Sequence, residues 1–213
     1  MDVNINIPKE WRDYVTQINL GLEVVPSVLY SVKSYVSHTS QVLTFFDFVR
    51  GSRPDLTNMQ QPNMLPNPES FLIQNIRIFN WGNVNSADSG IGDCGEIDSQ
   101  FNEWVELVKR GILELKIGNK QYGPWPLWML PANSFVKGGF STGSDLLADY
   151  GQVDGALYPL IPNLMIAPLQ QFTVTLSWPG GPVTLCPDLD DEEAPTELPI
   201  EILFDGQLAR SIQ

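Results

Sequence analysis

The sequence predicts an all-β sandwich, and three observations carry that prediction. Seventeen Gly and seventeen Pro are spread along all 213 residues, so the chain is punctuated into short elements joined by turns. Leu113, Leu115 and Ile117 alternate with Glu114 and Lys116, and Phe172, Val174, Leu176 and Trp178 alternate with Thr173, Thr175 and Ser177. Strands written this way bury one face and wet the other, as antiparallel sandwiches require and doubly wound parallel sheets do not. Finally, the chain carries one helix with start and stop signals. Asp98 or Ser99 caps it, Phe101, Trp104, Val105 and Val108 form its apolar stripe, Lys109 and Arg110 suit its C-terminal end, and Gly111 stops it.

In chain order, Trp11 to Val36 comes first. Val15, Ile18, Leu22, Val25 and Leu29 are loosely helical in spacing, but Gly21 and Pro26 interrupt them. The expectation is an N-terminal arm over residues 1–39, partly helical or extended, ahead of a β domain over 40–213. A strand follows at Gln41 to Val49, then a polar stretch from Arg50 to Glu69 with Pro54, Pro62, Pro66 and Pro68. A loop of that length is usually functional or held by a partner.

Phe71 to Trp81 is the next strand, and Gly82 to Gly95 is a Gly/Asp/Asn/Ser loop. Pro124 to Pro131 and Tyr158 to Pro168 are apolar but broken by Pro, which suits edge strands or sandwich corners. The last strand spans Ile200 to Leu208. Before it, Asp188, Asp190, Asp191, Glu192 and Glu193 make a self-repelling loop. The inventory is about eight strands with one short inserted helix, that of a single jelly-roll sandwich or barrel. An immunoglobulin-like sandwich lacks its Cys and Trp landmarks here.

Twenty-five acidic against twelve basic residues give a net charge of −13. Such a surface repels phosphate backbones, so direct nucleic-acid binding is not expected. The N-terminal residues carry no basic-then-apolar leader, and no apolar run nears the roughly 20 residues that cross a bilayer, so a soluble, not classically secreted protein is expected. Cys94 and Cys186 are too few and too far apart for a disulfide framework or a metal knuckle.

Gly139-Phe140-Ser141-Thr142-Gly143 has the spacing of a nucleophile elbow, yet the only histidine, His38, lies about a hundred residues before Ser141 instead of after it. The plainer reading is a flexible loop tip. His38 alone cannot build a histidine-rich metal site and is expected at the surface or between strands. Asp88, Asp93, Glu96 and Asp98, like the run from Asp188 to Glu193, carry oxygen ligands suited to Ca²⁺ but lack an EF-hand pattern, and are expected as solvated loops. Trp125 and Trp128 with Tyr122 and Tyr158 are candidates for a sugar-stacking platform, against the plainer reading that they fill core. No residue is assigned as catalytic, cofactor-binding or metal-binding, and no enzyme activity or cofactor is expected.

Three segments bear a resemblance to known proteins: LTFFDFVRGSRPDLTNMQQPNMLPNPESFLIQNIRIF, GILELKIGNKQYGPWPLWMLP and the terminal IEILFDGQLARSIQ. Together, over Gln41 to Gln213, they resemble the jelly-roll coat proteins of icosahedral, tail-less bacterial viruses with an internal membrane. The resemblance implies a non-enzymatic virion protein made in the host cytoplasm, with an upright barrel whose long loops and arm contact neighbouring subunits. Its partners are then copies of itself, other capsid and vertex proteins and an internal viral membrane. Many such viruses use two fused jelly rolls, whereas 213 residues accommodate one comfortably. The alternative class is a carbohydrate- or receptor-binding β-sandwich.

Overall fold

The computed structural model describes residues 22–80, 104, 106–130, 137–138, 148–149, 159–185 and 197–211. Its strands are β1 (Leu22–Val36), β2 (Val42–Phe45), β3 (Ser70–Asn80), β4 (Ile112–Ile117), β5 (Lys120–Pro126), β6 (Lys137–Gly138), β7 (Ala148–Asp149), β8 (Pro159–Ile166), β9 (Phe172–Ser177) and β10 (Glu197–Ser211). Two four-stranded antiparallel sheets, ordered β1-β10-β3-β8 and β2-β9-β4-β5, make an all-β sandwich, with β6 and β7 as a separate small hairpin. Setting that hairpin aside, the first long strand pairs with the last, the second with the seventh, the third with the sixth and the fourth with the fifth. The pairs are nested, as in a long ribbon folded back on itself and then rolled.

The core lies between the two sheets because alternate residues of both point inward. Phe71, Ile73, Ile76 and Ile78 of β3 and Ile200, Ile202 and Phe204 of β10 meet Leu113, Leu115, Phe172, Val174 and Leu176 of the facing sheet. Phe204 stacks on Phe46 at 5.0 Å between ring centroids, and Phe172 tilts against Phe46 at 5.4 Å. Trp178 and Tyr35 meet edge to face at 4.6 Å. Each has a partner for its polar end: Trp178 Nε1 donates to Leu107 O at 3.0 Å and Tyr35 OH to Val183 O at 3.0 Å.

Prolines mark the sheet edges. Pro26 lies in β1, Pro124 and Pro126 in β5, and Pro159 and Pro162 in β8, all edge strands where a missing N–H breaks no ladder. Pro199 lies in a central strand, but just before the stretch of β10 that pairs on both sides, which begins at Ile200. The fourth edge, β2, is only four residues long. Each edge therefore carries a feature that discourages strand addition.

Of the expected helix the described part is helical at Trp104 and residues 106–110, with Gly111 N–H bonding Leu107 O at 3.0 Å, while Asp98, Ser99, Phe101 and Val105 lie outside the described residues. A side chain at Gly111 is crowded by the backbone, since a Cβ there would lie 2.9 Å from Leu107 O. Two expectations need correction. Residues 22–36, assigned to the arm, are the strand β1, paired along its whole length with β10 from Leu22↔Ser211 to Val36↔Glu197. Residues 1–21 lie outside the described residues. The long loop before β3 is not waiting for a neighbour either, because it folds back on its own domain.

That loop buries Met59 and Leu65 in the core and runs along the free edge of β1. Val32 N–H donates to Leu56 O at 2.8 Å, Thr57 Oγ1 to Tyr30 O at 2.9 Å, and Ser31 and Thr57 form an isolated bridge. Asn58 acts as a side-chain substitute for a strand, accepting from Tyr30 N–H at 3.1 Å and donating to Val28 O at 2.7 Å. Phe46 turns the chain into the loop with φ +63°, a conformation that costs a bulky residue about 1 to 3 kcal/mol. The turn is held by Phe46 N–H donating to Ser31 Oγ at 3.0 Å and by Asn63 N–H donating to Phe46 O at 2.7 Å.

Candidate functional site

Most residues singled out for chemistry are not brought together. His38 is exposed in a turn with φ +60°, its Nδ1 3.4 Å from Thr184 Oγ1. Trp125 and Tyr122 are half-buried on β5 and pack against the core, while Trp128, three residues past Trp125, is 60% exposed. Tyr122 and Trp125 pack against the core, whereas Trp128 lies within the turn Leu127–Met129 and is exposed, so the three rings do not present one exposed platform. Ser141, Tyr158, Asp88, Asp93, Glu96, Asp98, the run Asp188 to Glu193, Cys94 and Cys186 lie outside the described residues. Among the described residues no group of three or more His, Cys, Asp or Glu stands close enough to hold a metal ion, and no helix is long and apolar enough to cross a membrane.

The surface that attracts notice is one that sequence reasoning missed, the outer face of the β1-β10-β3-β8 sheet. Register fixes which residues share it. Val24 stands opposite Ala209, and Ala209 opposite Ser70. Pro26 stands opposite Gln207, Gln207 opposite Leu72, and Leu72 opposite Met165. Leu72 and Ala209, with Val24 and Met165 packed against them, form an apolar cluster separate from the core. Although they point away from the other sheet, Ser70 and Ala209 are 0% exposed and Leu72 and Gln207 5%.

Polar groups on this face are incompletely satisfied. Ser70 Oγ and Gln207 Oε1 are buried without a hydrogen-bond partner, as are Arg77 Nε and Asp205 Oδ2 within the half-buried Arg77–Asp205 ion pair. A buried polar atom left unpaired costs about 1 to 3 kcal/mol, so four on one face mark it as unlike ordinary solvated sheet. At the same end of the sheet, one residue along from Val24, Ala209 and Ser70 and so of the opposite alternation, carboxylates and a guanidinium stand together. Arg210 Nε donates to Glu23 Oε1 at 2.8 Å, and Glu69 follows next to Ser70. Burial pushes the Glu69 carboxyl above the ordinary glutamate range, and Arg210 draws it partly back.

The signal that would have found this face is in β3 and β10, where apolar and small residues occupy both faces (Ser70, Leu72, Ala209) instead of alternating cleanly. Elsewhere among the described residues the exposed large apolar side chains are Val28, Val42, Val49, Trp128 and Leu169. They stand on different elements: an edge strand, the start of β2, the loop after it, the turn after β5 and the turn before β9. Compared with known proteins, the chain matches no protein family, no curated protein and no solved structure.

Proposed function

We propose that this chain is a virion structural protein, a capsid subunit whose sandwich is a single jelly roll and which packs with copies of itself into an icosahedral shell. The observation that carries the reading is the strand order, first with last, second with seventh, third with sixth and fourth with fifth, distributed over two four-stranded sheets. The three coat-like segments support it, because they fall on five of the eight strands of the two sheets: the first spans β2, the long loop and β3, the second β4 and β5, and the third most of β10.

The edges support it as well. Prolines and short length leave little room for open-ended strand addition, so closed association has to use faces, loop tips and exposed side chains such as Trp128, Leu169 and Val49. The long loop drops out as a contact that needs a neighbour, since its hydrogen bonds close on β1. Partners are other copies and other capsid or vertex proteins, with an internal viral membrane as a further surface, and the site of action is the virion. No catalytic role is proposed.

Electron microscopy of the concentrated full chain tests this. Closed bodies of uniform size support the reading, and dispersed single particles under every condition count against it. A carbohydrate-binding sandwich is the second reading, favoured by the exposure of Trp128 alone. Glycan binding lost in Trp128→Ala, with folding intact, would move the assignment there.

A further inference from the structure

We propose that the outer face of the β2-β9-β4-β5 sheet is a two-fold contact between copies of this chain, in which Glu114 of each copy lies over Lys116 of the other. The inference goes beyond the coat-protein reading and does not rest on it.

Alternation and register define the face. Leu113 and Leu115 of β4 and Val174 and Leu176 of β9 fill the core, so the residues between and beside them point outward. Two rows cross the strands there: Thr44, Thr175 and Glu114 form one, and Thr173, Lys116 and Gln121 the other. Unlike the outer face of the other sheet, where Leu72 and Ala209 are buried, this face is open. Lys116 and Gln121 are exposed and the threonines and Glu114 are part-exposed.

Charge selects a second copy as the occupant. The whole chain carries a net charge of −13, so most pairings of two copies are repulsive. The two rows, by contrast, sum to zero, with Glu114 and Lys116 side by side on an inner strand of the sheet. Neither takes part in any of the five ion pairs among the described residues.

That pattern is self-complementary. A two-fold axis lying in the plane of contact and crossing the strands at the level of Leu115 reverses one β4 over the other. Glu114 then lies over Lys116, Lys116 over Glu114, and Thr175 over Thr173. An axis along the strands instead sets Glu114 over Glu114 or over Thr175, which leaves the charges opposed or unpaired. The aligned packing of two twisted sheets, at about 30°, keeps the central residues in register.

The size sets the strength. Four strands about 4.8 Å apart and about six residues long offer roughly 400 Å² per copy. A standard interface buries about 800 Å² per partner, so this contact is weak, and its charge pairs make it sensitive to salt.

Charge exchange in the full chain tests the contact, with dimerisation read by sedimentation equilibrium up to ~1 mM protein in low salt, where so small an interface is populated. Glu114→Lys alone and Lys116→Glu alone each set like charges over one another and should weaken dimerisation by about tenfold or more. An equal mixture of the two variants restores opposite charges at both positions, as does the double exchange Glu114→Lys/Lys116→Glu in one chain. Both should return the constant to within about threefold of the parent. Circular dichroism and urea midpoints check the fold of each variant, and rescue in the mixture itself requires both to be folded. A parent that stays monomeric throughout would overturn the proposal, leaving the face to a different partner. So would single exchanges that dimerise like the parent, or a loss that neither the mixture nor the double exchange rescues. Dimers without shells would leave this contact standing and the coat-protein reading unsupported, whereas shells indifferent to every exchange would do the reverse.

Discussion

Gly206 is the position at which a single methyl group should do most damage. It sits in β10 beside the irregularity where Asp205 pairs with Asn75 but Gly206 with Ile73, leaving Gln74 as the extra residue of β3. A Cβ on Gly206 would lie 1.8 Å from Leu72 O, 2.9 Å from Leu72 C and 3.0 Å from Phe71 Cε1. Backbone atoms cannot rotate away, so reaching ordinary contact at 3.4 Å forces the strands apart by roughly 1.6 Å. That shift carries the ladder hydrogen bonds flanking the bulge out of range, at about 1 kcal/mol each, and disturbs the packing of Phe71 and Phe204 for about 1 to 3 kcal/mol more. Gly206→Ala should therefore destabilise by about 3 to 5 kcal/mol. An unstrained Gly→Ala change would instead stabilise by about 0.4 to 1 kcal/mol through the unfolded chain. In urea unfolding, with a slope of about 2 to 3 kcal/mol/M, the midpoint should fall by about 1 M or more. A midpoint equal to or above that of the parent protein would refute the register at this bulge.

Other consequences are open to direct measurement. Asn58→Ala removes both side-chain bonds to β1 and should cost about 1 to 2 kcal/mol by urea unfolding, with hydrogen exchange accelerated at Tyr30 N–H; unchanged exchange there would contradict the loop's role as an edge cover. Trp178→Phe removes one of the two donors to Leu107 O, leaving Gly111 N–H, and should lower stability by about 0.5 to 1.5 kcal/mol for the lost bond, with a further loss from the smaller ring; an unchanged midpoint would mean the indole N–H is not buried against that carbonyl. Glu69 holds its proton more tightly folded than unfolded, so its contribution is most favourable below the ordinary value of 4.5 and is lost as pH rises through the raised folded value. Glu69→Gln should then stabilise at pH 7 by less than about 1 kcal/mol, solvent screening and the lost attraction to Arg210 limiting the gain, with the difference vanishing near pH 3; a gap that widens on acidification would reverse the sign.

Where a strand buries one face, the sequence was easy to interpret. Leu113, Leu115 and Ile117, and Phe172, Val174 and Leu176, point inward as their alternation demands, and the Pro-broken segments became the edge strands β5 and β8. β1 escapes the alternation pattern because its apolar residues lie on both faces. Leu29 and Tyr35 face the core while Val24 and Val32 face outward, and the resulting spacing imitates a helix. Pro26 looked like a break when it marks an edge. The loop before β3 looked unsupported because its anchors are single polar atoms, Asn58 Oδ1, Thr57 Oγ1 and Ser31 Oγ, whose partners lie 15 to 30 residues away. Composition holds no trace of such pairings. The candidate rings show the same gap at closer range, since half-buried Trp125 lies in β5 and exposed Trp128, three residues on, lies within the turn Leu127–Met129.

The most direct test of the structural-subunit reading is the mass of the full chain in solution, measured by light scattering across a wide range of concentration and salt. The coat-protein account predicts discrete multiples of the 23.8 kDa chain that grow with concentration, and a shift toward smaller species in Trp128→Ser. A mass of one chain under every condition, unchanged by that substitution, would contradict it.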